Sequence, residues 1–370
     1  MDISALDYSS YEQGWVIMKS IIDRALESNR NETEAETDYI PMMSSDEELQ
    51  KIAESLRVNI SIFGCGGGGS NTIRRINEAG IVGATLVAAN SDAKHLLSIP
   101  APNKILLGRT TTRGLGAGAR PEIGRRATEE ARQDIIRFID GRNIVFITAG
   151  MGGGTGTGSA PYIAELSRRM SDLVMGVVTL PFRAEGKLRR DNAIKGLELM
   201  SEFCDTTIVL ENDKLLELVP KLPIEAAFRV ADELLMQSIK GMTEIITKPG
   251  LVNVDFSDMM TIMKNGGVAM IGVGESDSDS SRVKEAIEEA MSSPLLGDVD
   301  ISAANGALIR IVGGPDMTVS EAERAAALVG ERINPMARII WGCSVEPESE
   351  GMVKVLVVIT GVKSEQIIRE

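Results

Sequence analysis

The spacing of apolar residues changes character near residue 57. Before it, Tyr11, Trp15, Met18, Ile22 and Leu26 recur at intervals of three and four, as on one face of a helix. The acidic stretch "SNRNETEAETDYIPMMSSDEE" follows and reads as a linker, with a second short helix over 46–56. Beyond it, short continuous apolar runs alternate with helical spacing. "VNISIFG", "ATLVAAN", "KILLG", "NIVFITAG", "LVMGVVTLPF" and "TTIVLEN" read as buried strands. "SNTIRRINEAG", "PEIGRRATEEARQDIIRFI" and "APYIAELSRRM" read as helices. That rhythm predicts an α/β fold, a parallel sheet with helices on both faces.

Over 223–248 the pattern is a single long helix, with Ile224, Phe228, Ala231, Leu235, Ile239, Met242 and Ile246 on one stripe and "KPG" stopping it. A second, smaller α/β unit follows. Its strands are "GVAMIGVGES", "GALIRIVGG", "ARIIWGCSV" and "MVKVLVVITGV"; its helices are "SRVKEAIEEAMSS" and "TVSEAERAAALVGERI". The expected division is an N-terminal extension (1–56), a first domain (57–222), the central helix (223–248), a second domain with a mixed sheet (249–363) and a short tail (364–370).

Composition removes several function classes. The 370 residues carry 39 Lys and Arg against 53 Asp and Glu, a net charge of -14, which argues against nucleic acid as a partner. One histidine, His95, cannot supply a His-based metal site or a Ser-His-Asp triad, and no functional role is assigned to it. Cys65, Cys204 and Cys343 have no metal-ligand spacing and read as reduced thiols. No apolar run reaches the roughly 18 residues of a membrane span, and no signal peptide is read at the start.

The chemistry concentrates in glycine-rich turns. In "FGCGGGGS", Gly64, Gly66 and Gly69 have the G-x-G-x-x-G spacing, and Asp92 in "ANSDA" lies after the second strand. A dinucleotide-binding domain and an ordinary tight turn both fit that much. "GMGGGTGTGS" at 150–159 is a second such turn, after a later strand, and "TTTRGLGAGARPEIG" at 110–124 is a third. Their main-chain N–H groups at helix N-termini suit a polyphosphate, and the glycines are expected to let the backbone reach its oxygens. G-x-x-x-x-G-K-[ST] is absent, which excludes a P-loop NTPase.

"GGGTGTGS", together with "GCGGGGSNT", "ANSDA", "TRGLGAG", "LPFRAEGKLR", "LENDKL", "AFRVADELL" and "GLVNVDFSDM", resembles in order the nucleotide and catalytic loops of the FtsZ family within the tubulin superfamily, over about 57–363. "IIWGCSVEPE" and "VLVVITGV" are similar to its archaeal branch. The resemblance implies a cell-division GTPase with the tubulin/FtsZ fold. Gly66, Gly67, Gly152, Gly153, Gly154, Thr155, Gly156 and Thr157 would hold the phosphates of GTP or GDP. Asn90 and Asp92 would lie beside ribose and phosphates, near a Mg²⁺ carried by the phosphates rather than by a dedicated protein site. Gly116, Ala117 and Gly118 would sense the terminal phosphate; Thr179, Glu185 and Arg189 would border ribose and phosphates; Asn212, Phe228 and Asp232 would take the base. A carboxylate suits the two N–H groups of guanine, and Phe228 and Asp232, four apart, share a helix face.

Hydrolysis needs an oriented water. The resemblance assigns that to Asn253, Asp255 and Asp258, reaching the nucleotide of the next subunit in a head-to-tail filament. On residue pattern alone, Asp255 caps a helix starting at Ser257 and Asp258 favours its dipole. The resemblance further implies a cytoplasmic protein at a mid-cell ring, with membrane-anchor or division partners. Many relatives reach such anchors through a C-terminal linker and docking peptide, which "GVKSEQIIRE" does not supply. A paralogue with a shape or scaffold role, a relative that binds GTP without cycling and a Rossmann-type NAD-dependent oxidoreductase remain as alternatives. The oxidoreductase leaves "GMGGGTGTGS" and "NVDFSDM" unexplained.

Overall fold

The computed structural model describes residues 58–218, 224–248, 252, 254–278, 281–296 and 299–362. The helix and linker expected before residue 57, and the tail over 364–370, lie outside them. The chain divides into Met1–Arg57 and Val58–Glu370, and all described residues belong to the second unit.

Among the described residues, ten strands form one sheet: β1 (Ile60–Cys65), β2 (Ala84–Asn90), β3 (Asn103–Leu106), β4 (Ile144–Gly150), β5 (Leu173–Leu180), β6 (Thr206–Glu211), β7 (Gly267–Ser276), β8 (Gly306–Gly313), β9 (Arg338–Val345) and β10 (Val353–Thr360). Their order is β3-β2-β1-β4-β5-β6-β7-β10-β8-β9. Pairing is parallel from β3 through β7, and β8 is parallel to β9. β10 runs antiparallel to β7 and β8, which makes the sheet mixed. The mixed sheet expected after residue 249 is continuous with the first, because Thr206–Ile208 pair with Gly267–Ala269.

Both faces are covered, which is why the strands are continuously apolar rather than alternating. Successive side chains still point to opposite faces. Ile62 and Phe146 join Ile73, Ile239 and Met242 in one core, and Phe63 and Ile147 join Ile135 and Ile163 in the other. The helices are α1 (Gly66–Glu78), α2 (Ala93–Ser98), α3 (Pro121–Glu130), α4 (Arg132–Ile139), α5 (Thr155–Arg168), α6 (Lys187–Phe203), α7 (Asn212–Leu218), α8 (Ile224–Thr247), α9 (Phe256–Met263), α10 (Arg282–Met291) and α11 (Val319–Gly330).

Three local readings differ. The expected helix over 121–139 is two, broken at Ala131 (φ -89°, ψ 13°), where the N–H tightens onto Thr128. α6 carries only a short apolar stripe, its buried face being Ala193, Gly196, Leu197 and Met200. A Cβ on Gly196 would stand 2.6 Å from the Thr157 side chain. α1 begins at Gly66 itself, so the glycine run is the first helical turn and not a loop before it.

The 24 residues of α8 extend about 36 Å. Ala231, Leu235, Ile239 and Met242 are buried as the stripe predicts, whereas Phe228 is 41% exposed. Near the C-terminal end of α8, buried Glu244 lies 2.8 Å from Arg310 on β8 and 2.7 Å from Lys248. Arg310 also meets Glu346 at 3.4 Å. Glu244→Ala leaves Arg310 half-buried with a weaker partner. The expected cost is about 3 kcal/mol, measured as a lower urea midpoint with unchanged slope.

Candidate functional site

The C-terminal ends of β1, β2, β4, β5 and β6 open into one cavity of about 510 Å³. It sits where the strand order reverses, between β1 and β4, the place where parallel α/β sheets hold ligands. Of the sequence-assigned binding residues, Gly67, Asn90, Asp92, Gly116, Gly118, Gly153, Gly154, Thr155, Gly156, Thr179, Glu185, Arg189, Asn212, Phe228 and Asp232 line it. Gly66, Ala117, Gly152 and Thr157 do not. Gly68, Asn71, His95, Ala119, Gly150, Met151, Pro181 and Ala231 line it as well. Most of these sit inside the quoted loops, where neighbouring residues drew the attention.

The glycines separate into two kinds. Gly66 has φ +70°, and a Cβ there would lie 2.7 Å from the Gly156 N. A Cβ on Gly156 would lie 2.7 Å from the Gly150 O, and one on Gly158 2.1 Å from the Pro121 O. These positions are closed by the protein's own backbone. The expectation that ligand oxygens alone exclude side chains is therefore corrected for them. Gly67 and Gly153 differ: both line the cavity, and a Cβ on either meets nothing within 4 Å.

Two helix N-termini converge here. α1 follows Cys65 and α5 follows Gly154, neither with a side-chain cap nor an acidic residue in the first turn. α2, α9 and α11, by contrast, are capped by Asp92, Asp255 and Thr318. Uncapped first-turn N–H groups and the positive dipole end make an anion site.

The polar wall is organised around these turns. Thr155 and Ser91 share a 2.5 Å hydroxyl contact. Thr157 is buried, and its Oγ1 accepts the Gly152 N–H at 2.8 Å, so it braces the turn from behind. Asp92 accepts the His95 N–H at 3.0 Å, and the His95 ring lies 3.1 Å from the Asn90 amide. His95, given no role by the sequence, thus lines the cavity and orients Asn90. The Gly116 N–H is already bound to the Ser91 O at 3.1 Å. Glu185 accepts the Phe182 N–H at 3.0 Å and pairs with Arg189.

At the far end stand Asn212, Phe228 and Asp232. Asn212 is 4% exposed, and its Oδ1 is buried without a hydrogen-bond partner. Phe182, fully buried, holds the Phe228 ring edge-on at 5.0 Å and 86°. Burial pushes the Asp232 carboxyl up to about 6, against the pull of Arg75 and then Arg74. Sequence reasoning missed Phe182 and Arg75, which are distant along the chain from the residues they touch.

Asp255 and Asp258 do not line the cavity; both are exposed. Asp255 accepts the Asp258 N–H at 2.8 Å and the Ser257 hydroxyl at 2.8 Å, and these bonds hold its carboxyl below the ordinary range. It is the N-cap of α9, which starts one residue earlier than expected, at Phe256. Asn253 lies outside the described residues. Among the described residues, no cluster of three or more metal-ligating side chains occurs, and no helix is long and apolar enough to cross a membrane.

The model of the Tubulin/FtsZ family, GTPase domain, matches residues 59–220, and that of the FtsZ family, C-terminal domain, matches 267–363. Fold and cavity thus define a GTPase of the tubulin/FtsZ class, which binds GTP and GDP. A cell division protein FtsZ of Haloferax mediterranei is 53% identical over 323 residues, 87% of this chain and 85% of that one. An FtsZ dimer from M. jannaschii superposes with a TM-score of 0.82 at 50% identity, covering 86% of this chain and 93% of that one. The chain belongs to the FtsZ family. CetZ1 from Haloferax volcanii, a GDP-bound monomer, gives 0.73 at 24% identity over 84% of this chain and 96% of its own, a likeness of fold. The oxidoreductase alternative is set aside by this membership.

Two variants separate the kinds of glycine. Gly158→Ala should cost roughly 1–3 kcal/mol of stability by overpacking. Gly153→Ala should keep its urea midpoint and lose at least about tenfold in mant-GTP affinity, a change of about 1.4 kcal/mol. Asp232 gives a stability signature. Its folded pKa is raised, so its stabilising contribution is complete below the ordinary carboxyl range, near pH 4, and is lost as pH rises through about 6. Asp232→Asn should therefore stabilise the nucleotide-free protein at pH 7 by on the order of 2 kcal/mol, and by little at pH 4, in paired thermal melts.

Proposed function

We propose that this chain is a cell-division GTPase that polymerises head to tail, each active site being completed by the acidic loop of the next subunit. The observation that carries the reading is the pair of uncapped helix N-termini, α1 and α5, facing one cavity at the sheet's switch point. A triphosphate satisfies their N–H groups, with Gly67 and Gly153 as the points of closest approach. The unpartnered Asn212 Oδ1, the Phe228 face and the Asp232 carboxylate suit guanine, whose N1–H and exocyclic amine are both donors. Adenine lacks that pair.

With Glu185 paired to Arg189 and Asp232 at the far end, Asp92 fits a Mg²⁺ that takes most of its ligands from phosphates and water. The ion would neutralise charge on the phosphates; Asp92, with Asn90 beside it, would orient it. The bound Gly116 N–H supports a role for that residue in shaping the 110–118 turn, with any contact to the terminal phosphate falling to its neighbours.

Of the cavity's carboxylates, Glu185 is paired with Arg189, Asp92 caps α2 and Asp232 stands at the base end, so none of them forms an obvious water-orienting pair at the γ-phosphorus. Exposed Asp255 and Asp258 lie outside it, which favours their use on another copy. Such a contact joins two different surfaces and repeats into a filament. Asp255 has two roles in this reading, capping α9 and sharing the water-orienting function with Asp258; Asn253 is assigned to the same function. The same division of labour underlies the proposed domains, 57–222 for nucleotide, 223–248 as the connecting helix and 249–363 for assembly. Cytoplasmic placement at a mid-cell ring, and anchor or division partners, follow from a division role. Identities of 46–53% to archaeal proteins named for cell division support division over a shape or scaffold role.

Hydrolysis per subunit, measured against protein concentration with pelleting of the same samples, tests the split site. The expected result is a threshold followed by a rise that tracks pelleted polymer. Asp258→Ala should keep mant-GTP affinity and its thermal midpoint while losing at least about 100-fold in turnover, some 2.7 kcal/mol of barrier. Turnover retained in that variant, or a rate per subunit independent of concentration, would sink the reading.

A further inference from the structure

The residue behind Asp232 bears on which base the cavity accepts. Arg75 lies in the last turn of α1, and α1 packs along α8. Its Nη1 donates to Glu233 at 3.0 Å, while its Nε lies 4.0 Å from the Asp232 carboxylate. That Nε is buried and has no hydrogen-bond partner. A guanidinium of this kind is only half used by Glu233. Its remaining face is turned to the one carboxyl at the base end of the cavity.

We propose that Arg75 is a specificity-determining residue acting at one remove: it holds Asp232 as the anion that the two N–H donors of guanine require. This rests on the assignment of the base to Asp232. The chemistry is a matter of proton count. An ionised carboxylate accepts twice and matches the guanine N1–H and amine. A neutral carboxyl donates once and accepts once, and so matches the N1 acceptor and N6 amine of adenine. Whichever form the protein keeps at its working pH decides which purine it prefers.

The surroundings leave few other groups to make that choice. Burial favours the neutral form, and Arg75, then Arg74, oppose it. On α8 itself the flanking charges are Arg229 and Glu233, and Glu233 is shared between Arg75 and Gln237. From α7 the cavity receives the neutral amide of Asn212, while Asp213 is engaged by Arg183 and Lys214 by Glu217. Arg75 is a positioning residue, and the prediction is a shift along the pH axis rather than a plain loss.

The test is mant-GDP and mant-ADP affinity from pH 5 to pH 9 for the wild-type chain, Arg75→Met, Arg75→Lys, Glu233→Gln and Asp232→Asn. Wild-type mant-GDP binding should weaken below about pH 6. In Arg75→Met the midpoint should move up by about one unit, giving about tenfold weaker binding on the acid side and recovery by pH 9. Arg75→Lys should keep most of the wild-type midpoint. Glu233→Gln should move it down, since it removes a competing anion. The preference for mant-GDP over mant-ADP should fall with pH in every chain that keeps Asp232. If Arg75→Met weakens binding equally at all pH values, or Glu233→Gln shifts it the same way, Arg75 is only a tie between α1 and α8 and the proposal is overturned. Undiminished mant-GDP binding by Asp232→Asn would instead overturn the base assignment on which the proposal stands.

Discussion

Everything at the site depends on two strand-to-helix turns coming closer than side chains permit. β1 and β4 are adjacent and parallel, in the register Cys65↔Ala149, so their turns emerge side by side. The Gly66 Cα then faces the Gly156 N at a distance that excludes a Cβ. Both helices start at once, without capping side chains, and their first N–H groups share one space. The cavity floor is thus main chain, held by packing before any ligand arrives. Most of the glycine content answers to that packing, and only a small remainder to the ligand.

This arrangement explains how a chain of net charge -14 can hold a polyanion. Binding needs no basic surface when the donors are fixed peptide groups at helix ends. The charged side chains near the phosphate end are already engaged: Glu185 with Arg189 and the Phe182 N–H, Asp92 with the α2 N-terminus. At the other end the logic reverses. In the proposed reading a single largely buried carboxyl, opposed by guanidinium groups, would meet the ligand's donors, and its burial carries a cost to the empty protein. Phe228, at this same end, is partly exposed and meets Phe182 edge-on.

Beyond the cavity, α8 links its wall to the rest of the sheet. Its first turns present Phe228 and Asp232; its last turns bind Arg310 on β8 through Glu244. The sheet is likewise unbroken from β3 to β9. The acidic loop follows α8, with Asp255 capping α9 at a distance from the cavity of its own chain. That separation is the ground on which the proposed split site rests.

The sequence by itself determined whatever acts over a few residues. The apolar runs located all ten strands, the three-four stripe located α8, and the glycine turns with "ANSDA" and "AFRVADELL" marked most of the cavity wall. The break at Ala131 and the helix α6 escaped because each rests on few residues: one tightened N–H at Ala131, and a buried face of only Ala193, Gly196, Leu197 and Met200 on α6. Tertiary structure alone decided the rest: that the two sets of strands share one sheet, that Thr157 faces inward, and that Arg75 meets Asp232 across 157 positions. Local pattern encodes which face of an element is apolar. It does not encode which element lies opposite, because that is settled by strand order and by backbone contacts between residues far apart in the chain.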